Sequence, residues 1–84
     1  LDPPHQADWL RMVREQVAAG RTVVSVLHEI SLALHADELV ILSQGQLAWQ
    51  GACAEAATHR ALEQVFEDRI AIHPLAGQWV ALPK

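Results

Sequence analysis

Residues 22–42, TVVSVLHEISLALHADELVIL, decide the fold that the sequence predicts. Two apolar runs, 22–27 and 38–42, flank ten mixed residues. The first run is β-branched and almost continuously apolar, which is typical of a strand buried on both faces of a parallel sheet. Residues 30–36 have room for about two helical turns. The stretch therefore predicts an α/β unit of strand, helix and strand, in which the two strands are parallel and the crossover is right-handed.

The flanking segments predict further helices and a small antiparallel hairpin. Asp2-Pro3-Pro4 indicates a helix start, because aspartate caps exposed N–H groups and proline has no N–H to leave unpaired at the first helical position. Gly20 is the expected end of that helix. Beyond the turn at Gly45, the patterns predict a short strand at 47–50, helix over 54–67, and a terminal hairpin of strands 69–73 and 78–82.

Composition places the chain among globular proteins of one domain at most. It has 84 residues, of which 51% are hydrophobic and 19% are charged. The formal net charge of -4, with six basic residues, argues against nucleic-acid binding. No apolar run is long enough for a transmembrane helix, and the single Cys53 excludes an internal disulfide. The predicted parallel strands lack neighbours, and the chain starts at Leu1, so we expect a fragment of a larger α/β domain.

His28 ends the first apolar run and is the main candidate site residue. It fits a structural histidine bonded to a backbone carbonyl, which is the commonest role for such a residue. It also fits a metal ligand with His35, although no third ligand has a recognisable spacing. Catalysis with Ser25 or Ser31 is a weaker alternative, because neither serine lies in a glycine-flanked elbow. Finally, ligands of open α/β sheets bind outside the carboxyl ends of strands, where His28 is predicted. The residues alone leave these alternatives open.

Three stretches of the sequence together resemble one family. Residues 23–51 read VVSVLHEISLALHADELVILSQGQLAWQG, residues 1–6 read LDPPHQ, and residues 61–68 read ALEQVFED. The first resembles the region around the switch histidine in ATP-binding subunits of ABC transporters. The second is similar to the end of the family's D-loop, and the third to a late helix of importer subunits. The resemblance covers essentially the whole chain and is strongest to importers of iron-siderophore, haem or cobalamin.

The resemblance implies that residues 1–84 are the C-terminal part of a nucleotide-binding domain of the P-loop NTPase type. It implies that His28 contacts the γ-phosphate of ATP, a role in which an imidazole N–H stabilises charge on the transferred group. It also implies that Asp2 is the D-loop aspartate at the interface of two ATPase subunits, a role compatible with a simple helix cap. Glu29 stands where the family usually has an acidic residue.

Motifs that the family needs are absent from these residues. The chain has no G-x-x-x-x-G-K-[ST] and no signature motif, glutamine loop or Walker B strand. We therefore expect ATP and Mg²⁺ to bind only in the full-length parent, an ATP hydrolase, and the isolated chain to be inactive with no resident metal. The resemblance implies a head-to-tail second ATPase subunit and membrane-spanning permease subunits as partners, on the cytoplasmic face of the membrane. The alternative is a free-standing, non-catalytic α/β interaction module.

Other polar and aromatic residues have simpler expected roles. The three tryptophans are expected to be packing groups: Trp9, Trp49 and Trp79. The remaining histidines are expected to lie at the surface or its boundary: His5, His35, His59 and His73. Cys53 is predicted at a helix start, a position that favours a lower thiol pKa, but no basic residue is adjacent to it in sequence. The apolar run 22–27 contains no charge or proline to block pairing with another chain, so we expect the isolated chain to self-associate.

Overall fold

A computed structural model describes residues 3–84, so Asp2, the predicted helix cap, lies outside the described residues. The helices and strands follow one another as α1 (Pro3–Ala18), α2 (Ile30–Ala33), β1 (Glu38–Ser43), β2 (Gln46–Ala52), α3 (Ala56–Val65), β3 (Ile70–Leu75) and β4 (Gln78–Pro83). The α/β class is confirmed. None of the helices in this part of the chain is both long and apolar enough to span a membrane.

The first helix agrees with its prediction. The two prolines, Pro3 and Pro4, are the first residues of α1, and the chain leaves the helix at Gly20, whose φ of 85° is readily adopted only by glycine. The amide of Gly20 donates to the carbonyl of Val17 at 2.9 Å. No residue of α1 is buried, although Trp9, Leu10 and Val13 are half-buried. The helix therefore lies against the rest of the protein without entering its core.

Strands β1 and β2 form an antiparallel hairpin around the predicted turn at Gly45. The register runs from Glu38 opposite Ala52 to Ser43 opposite Gln46. Gln44 and Gly45 form the turn with positive φ values of 53° and 74°, the combination that matches the twist of a two-residue hairpin. Both strands begin and end within two residues of their predicted limits, so the elements themselves are confirmed.

Residues 22–27 form no strand, which corrects the prediction of a parallel partner for β1. The segment has no regular secondary structure, and Val24 and Val26 are 88% and 89% exposed. Within residues 3–84 the strands pair only as β1 with β2 and β3 with β4. A β-branched apolar run indicates a residue set that suits a sheet, but a strand exists only where a neighbouring backbone accepts and donates its hydrogen bonds. The residue types of 22–27 indicate a preference for a strand, but they do not show whether a neighbouring strand is present to pair with it.

The core lies between the two hairpins and α3. Its buried residues come from the turn after α2, from β1, from the end of β2 and from α3: Leu34, Leu39, Ile41, Cys53 and Leu62. The alternation of β1 turns Leu39 and Ile41 inward. Trp49 and Trp79 pack against this cluster while remaining partly exposed, which confirms a packing role for both. The hairpin of β3 and β4, paired from Ile70–Pro83 to Leu75–Gln78, agrees with the predicted terminal hairpin.

Candidate functional site

His28 lies at the junction between residues 22–27 and α2. Its side chain is exposed. The next residue, Glu29, is the N-cap of α2, with extended dihedrals of φ -93° and ψ 113°. The carbonyl of Glu29 accepts hydrogen bonds from the amides of Leu32 and Ala33 at 3.2 and 3.1 Å. The structure thus places the imidazole immediately before a fixed helix start, where it can meet a ligand from outside the molecule.

The carboxylate of Glu29 is held by α1. Nε2 of Gln6 donates to Oε2 of Glu29 at 2.8 Å, in a partly buried contact between residues 23 positions apart. The side chain of Glu29 makes no capping hydrogen bond to α2. This contact brings the first turn of α1 to the residue beside His28. Gln6 was not predicted as a site residue, and only its place in the stretch LDPPHQ associated it with the family.

A cleft of about 310 Å³ lies along the same face of α1. It is lined by Pro3, Gln6, Leu10 and Arg14 of the helix, together with His35 and Gln78. An Nη2 of Arg14 lies 3.4 Å from Nδ1 of His35. Among residues 3–84, no three histidine, cysteine, aspartate or glutamate side chains are arranged to hold a metal ion. His35 therefore contacts α1, and a metal site joining it to His28 has no third ligand in this part of the molecule.

Two buried polar residues of α3 were not anticipated. Thr58 is fully buried, and its Oγ1 accepts a hydrogen bond from Nε1 of Trp49 at 2.9 Å. A Cβ at Gly51 would lie 2.9 Å from that Nε1 and 3.0 Å from that Oγ1. A glycine at position 51, within β2, is therefore needed to keep room for this bond.

His59 is buried, which corrects its prediction as a surface or boundary residue. It is only 8% exposed, and its Nε2 has no hydrogen-bond partner among the described residues. Its ring stacks edge-to-face on Trp79, with ring centroids 4.3 Å apart. Through this aromatic contact α3 packs against β4. A single histidine in a helical pattern gave no signal for that role.

Cys53 lies in an environment that raises its thiol pKa, whereas a helix start alone would favour a lower one. The thiol lies in the core, 3% exposed, and its Sγ donates to the carbonyl of Leu34 at 3.4 Å. Burial, together with the negative charge of Asp37, raises the pKa of the Cys53 thiol above its ordinary value. The residue is a core component rather than an activated nucleophile.

Similarity to known proteins covers the whole chain. A hemin import ATP-binding protein HmuV from Thermobifida fusca is 43% identical over 86 residues, which is 99% of this chain. Proteins of the same name from Bradyrhizobium diazoefficiens and Rhodococcus jostii are 35% and 34% identical over 100% of it. The chain matches a segment of ABC importer ATP-binding subunits. The family resemblance drawn from the sequence is confirmed.

The match covers only part of each relative. The 84 residues span 30% of the Thermobifida protein and 32% of the Bradyrhizobium protein. No family model matches this chain, and no solved structure matches it. The name shared by these relatives lies within the importer branch expected from the sequence, since hemin is a form of haem.

Proposed function

We propose that this chain is the C-terminal part of the nucleotide-binding domain in the ATP-hydrolysing subunit of an ABC importer. Residues 1–84 then comprise the end of the D-loop, the switch-histidine loop, and the late helix and hairpin. The observation that carries the proposal is similarity over the full chain to ATP-binding import proteins, at 43% identity in the Thermobifida case. The names of the relatives favour hemin as the transported substrate.

His28 is the proposed catalytic residue. An exposed imidazole at a fixed helix start suits contact with the γ-phosphate, where its N–H donates to an equatorial oxygen and helps place the attacking water. A hydrogen bond to a charged group contributes about 1.5–3 kcal/mol, enough to matter for turnover. Asp2 is proposed to lie at the interface with a second, head-to-tail ATPase subunit and to couple the two ATP sites.

ATP and Mg²⁺ are proposed to bind the full-length parent. Most contacts to phosphate and metal come from the P-loop and Walker B segments, which these 84 residues lack. The isolated chain is therefore expected neither to bind nor to hydrolyse ATP. The parent would contact membrane-spanning permease subunits and lie peripherally on the cytoplasmic face of the membrane.

The isolated chain is also proposed to associate with a second copy of itself. It exposes 6310 Å², whereas folded monomers of its 9.3 kDa mass expose only about 5,000 Å². The surplus of about 1,300 Å² exceeds the roughly 800 Å² that each partner contributes to a standard interface. The exposed Val24 and Val26 provide an apolar strip for such an edge-to-edge contact, and residues 22–27 belong to none of the sheets formed by residues 3–84.

The same strip favours a second candidate function, a non-catalytic interaction module that binds a partner through residues 22–27. The two candidates differ in whether the chain can serve in ATP hydrolysis. A chimaeric subunit decides between them: the Thermobifida protein with its matching 86 residues replaced by this chain.

We expect the chimaeric subunit to hydrolyse ATP, and calorimetric titration of the isolated chain with Mg-ATP to show no micromolar binding. A folded chimaera without ATPase activity supports the interaction module. Micromolar binding of ATP by the isolated chain contradicts the proposal, because one histidine cannot replace the missing phosphate contacts.

A further inference from the structure

We infer that Gln6 is a positioning residue, which fixes the loop that carries His28 by holding Glu29. The inference rests on the proposed γ-phosphate role of His28. Its direct observation is the 2.8 Å hydrogen bond from Nε2 of Gln6 to Oε2 of Glu29. The bond joins two segments that are 23 residues apart in sequence, so it fixes the position of one helix relative to the other.

Glu29 is restrained from two sides. Its carbonyl accepts two amide hydrogen bonds from α2, and its carboxylate accepts the hydrogen bond from α1. Because Glu29 follows His28 directly, these bonds fix the backbone on the carboxyl side of the histidine. On the other side, residues 21–27 have no regular secondary structure, so no strand ladder holds His28 there. The Gln6 contact is thus a direct anchor of the His28 loop.

The chemistry of the pair suits an anchor. A neutral amide that donates to a carboxylate forms a charge-assisted hydrogen bond, which is shorter and stronger than one between neutral groups. The contact is partly buried, which reduces screening by solvent. Glu29→Gln retains an acceptor oxygen at the same place, whereas Gln6→Glu opposes two carboxylates. The pair therefore offers a conservative and a disruptive variant.

The kinetic test uses the chimaeric subunit with Gln6→Ala, Gln6→Glu and Glu29→Gln. Gln16→Ala is the matched control, because it removes the same side chain from the far end of the same helix. We expect Gln6→Ala to lower kcat about tenfold, with KM for ATP changed less than about twofold. Gln6→Glu should lower kcat further than Gln6→Ala does, and Glu29→Gln should leave kcat near that of the unsubstituted chimaera. In a His28→Ala background, Gln6→Ala should cause no further loss.

Equal effects of Gln6→Ala and Gln16→Ala on kcat overturn the inference, as does an additive loss in the His28→Ala background. A second measurement is independent of ATP hydrolysis. In the 84-residue chain, backbone amide relaxation by NMR should show increased motion at residues 27–30 in Gln6→Ala and not in Gln16→Ala. Unchanged relaxation there overturns the anchor even if the chimaera is active. Increased motion with an inactive chimaera retains the anchor and rejects the proposed function.

Discussion

Residues 30–84 hold every buried side chain of the described chain, whereas residues 3–29 hold none. The first of these regions has two hairpins closed over α3, with Leu39, Ile41 and Leu62 at the centre. The other has one surface helix and an apolar segment in which Val24 and Val26 are almost fully exposed. The candidate site residues Gln6 and His28 belong to the exposed region.

This difference indicates that the stability of the fold and the candidate site depend on different regions of the chain. Burial of apolar surface contributes about 25 cal/mol per Å², so the free energy of unfolding comes chiefly from residues 30–84. Residues 3–29 are held by individual polar contacts such as Gln6–Glu29. Substitutions in the two regions should therefore change different measurements.

The largest expected effect on stability comes from the core. Leu62→Ala removes a side chain that is 7% exposed, and should lower the free energy of unfolding by about 2–5 kcal/mol. Val26→Ala, at a side chain 89% exposed, should change it by less than about 0.5 kcal/mol. Urea titration followed by circular dichroism measures both. Similar losses of unfolding free energy in the two variants would contradict the claim that stability comes chiefly from residues 30–84.

A smaller effect is expected at the buried hydrogen bond of α3. Thr58→Val leaves Nε1 of Trp49 without its acceptor and should cost about 1–3 kcal/mol. Thr22→Val, at an exposed threonine, is the matched control and should be near neutral. Gly51→Ala should resemble Thr58→Val, because its Cβ enters the space between the two bonded atoms. A stable Gly51→Ala protein with an unchanged tryptophan spectrum would contradict this packing.

Self-association tests the exposed region directly. A lysine placed on an unpaired edge opposes pairing with a second chain, so Val24→Lys should weaken the dimer at least about tenfold. Leu75→Lys, at a residue 62% exposed near the tip of the β3–β4 hairpin, should not. Light scattering after size exclusion at several concentrations gives the result. A stable monomer in the unmodified protein at high concentration would show that the strip at residues 22–27 is not an interface.

The smallest expected effect is the pH dependence due to Cys53. Its pKa is raised in the folded state, so above the ordinary thiol pKa the unfolded chain loses a proton that the folded chain keeps. The contribution of Cys53 to stability should be constant up to about pH 8 and then fall by at most about 1.4 kcal/mol per pH unit. Urea titrations from pH 7 to 10, with Cys53→Ala as the reference, isolate this slope. An equal slope in both proteins would mean that the thiol titrates normally.

Much of the compact region was predictable from local pattern. The Gly45 turn, the apolar run of residues 38–42 and the periodicity of residues 56–65 each specify their own element through neighbours close in sequence. The absence of a strand at residues 22–27 was not predictable, because strand pairing depends on a backbone partner distant in sequence. A continuous apolar run has no alternation that could reveal which face or edge is covered.

The candidate site shows the same limit. His28 was predicted as a site residue because a whole stretch around it resembles a family; the relatives match the chain over its length, and the role of His28 stays a prediction. The roles of Gln6, Thr58 and His59 were missed. Each role comes from a contact between two segments, and the spacing of residues in the sequence does not predict such contacts. The burial of Cys53 was not predicted, because its position before a helix carries no information about the core that surrounds the thiol and raises its pKa.

The central claim is that His28 serves the transition state of ATP hydrolysis. The most direct measurement compares ATP affinity and steady-state turnover in the chimaeric subunit with His28→Ala and with His73→Ala, an exposed histidine on β3. We expect His28→Ala to lower kcat about 100-fold or more while the Kd for ATP changes less than about threefold, and His73→Ala to change neither. A large loss of ATP affinity in His28→Ala, with kcat unchanged, would contradict the claim.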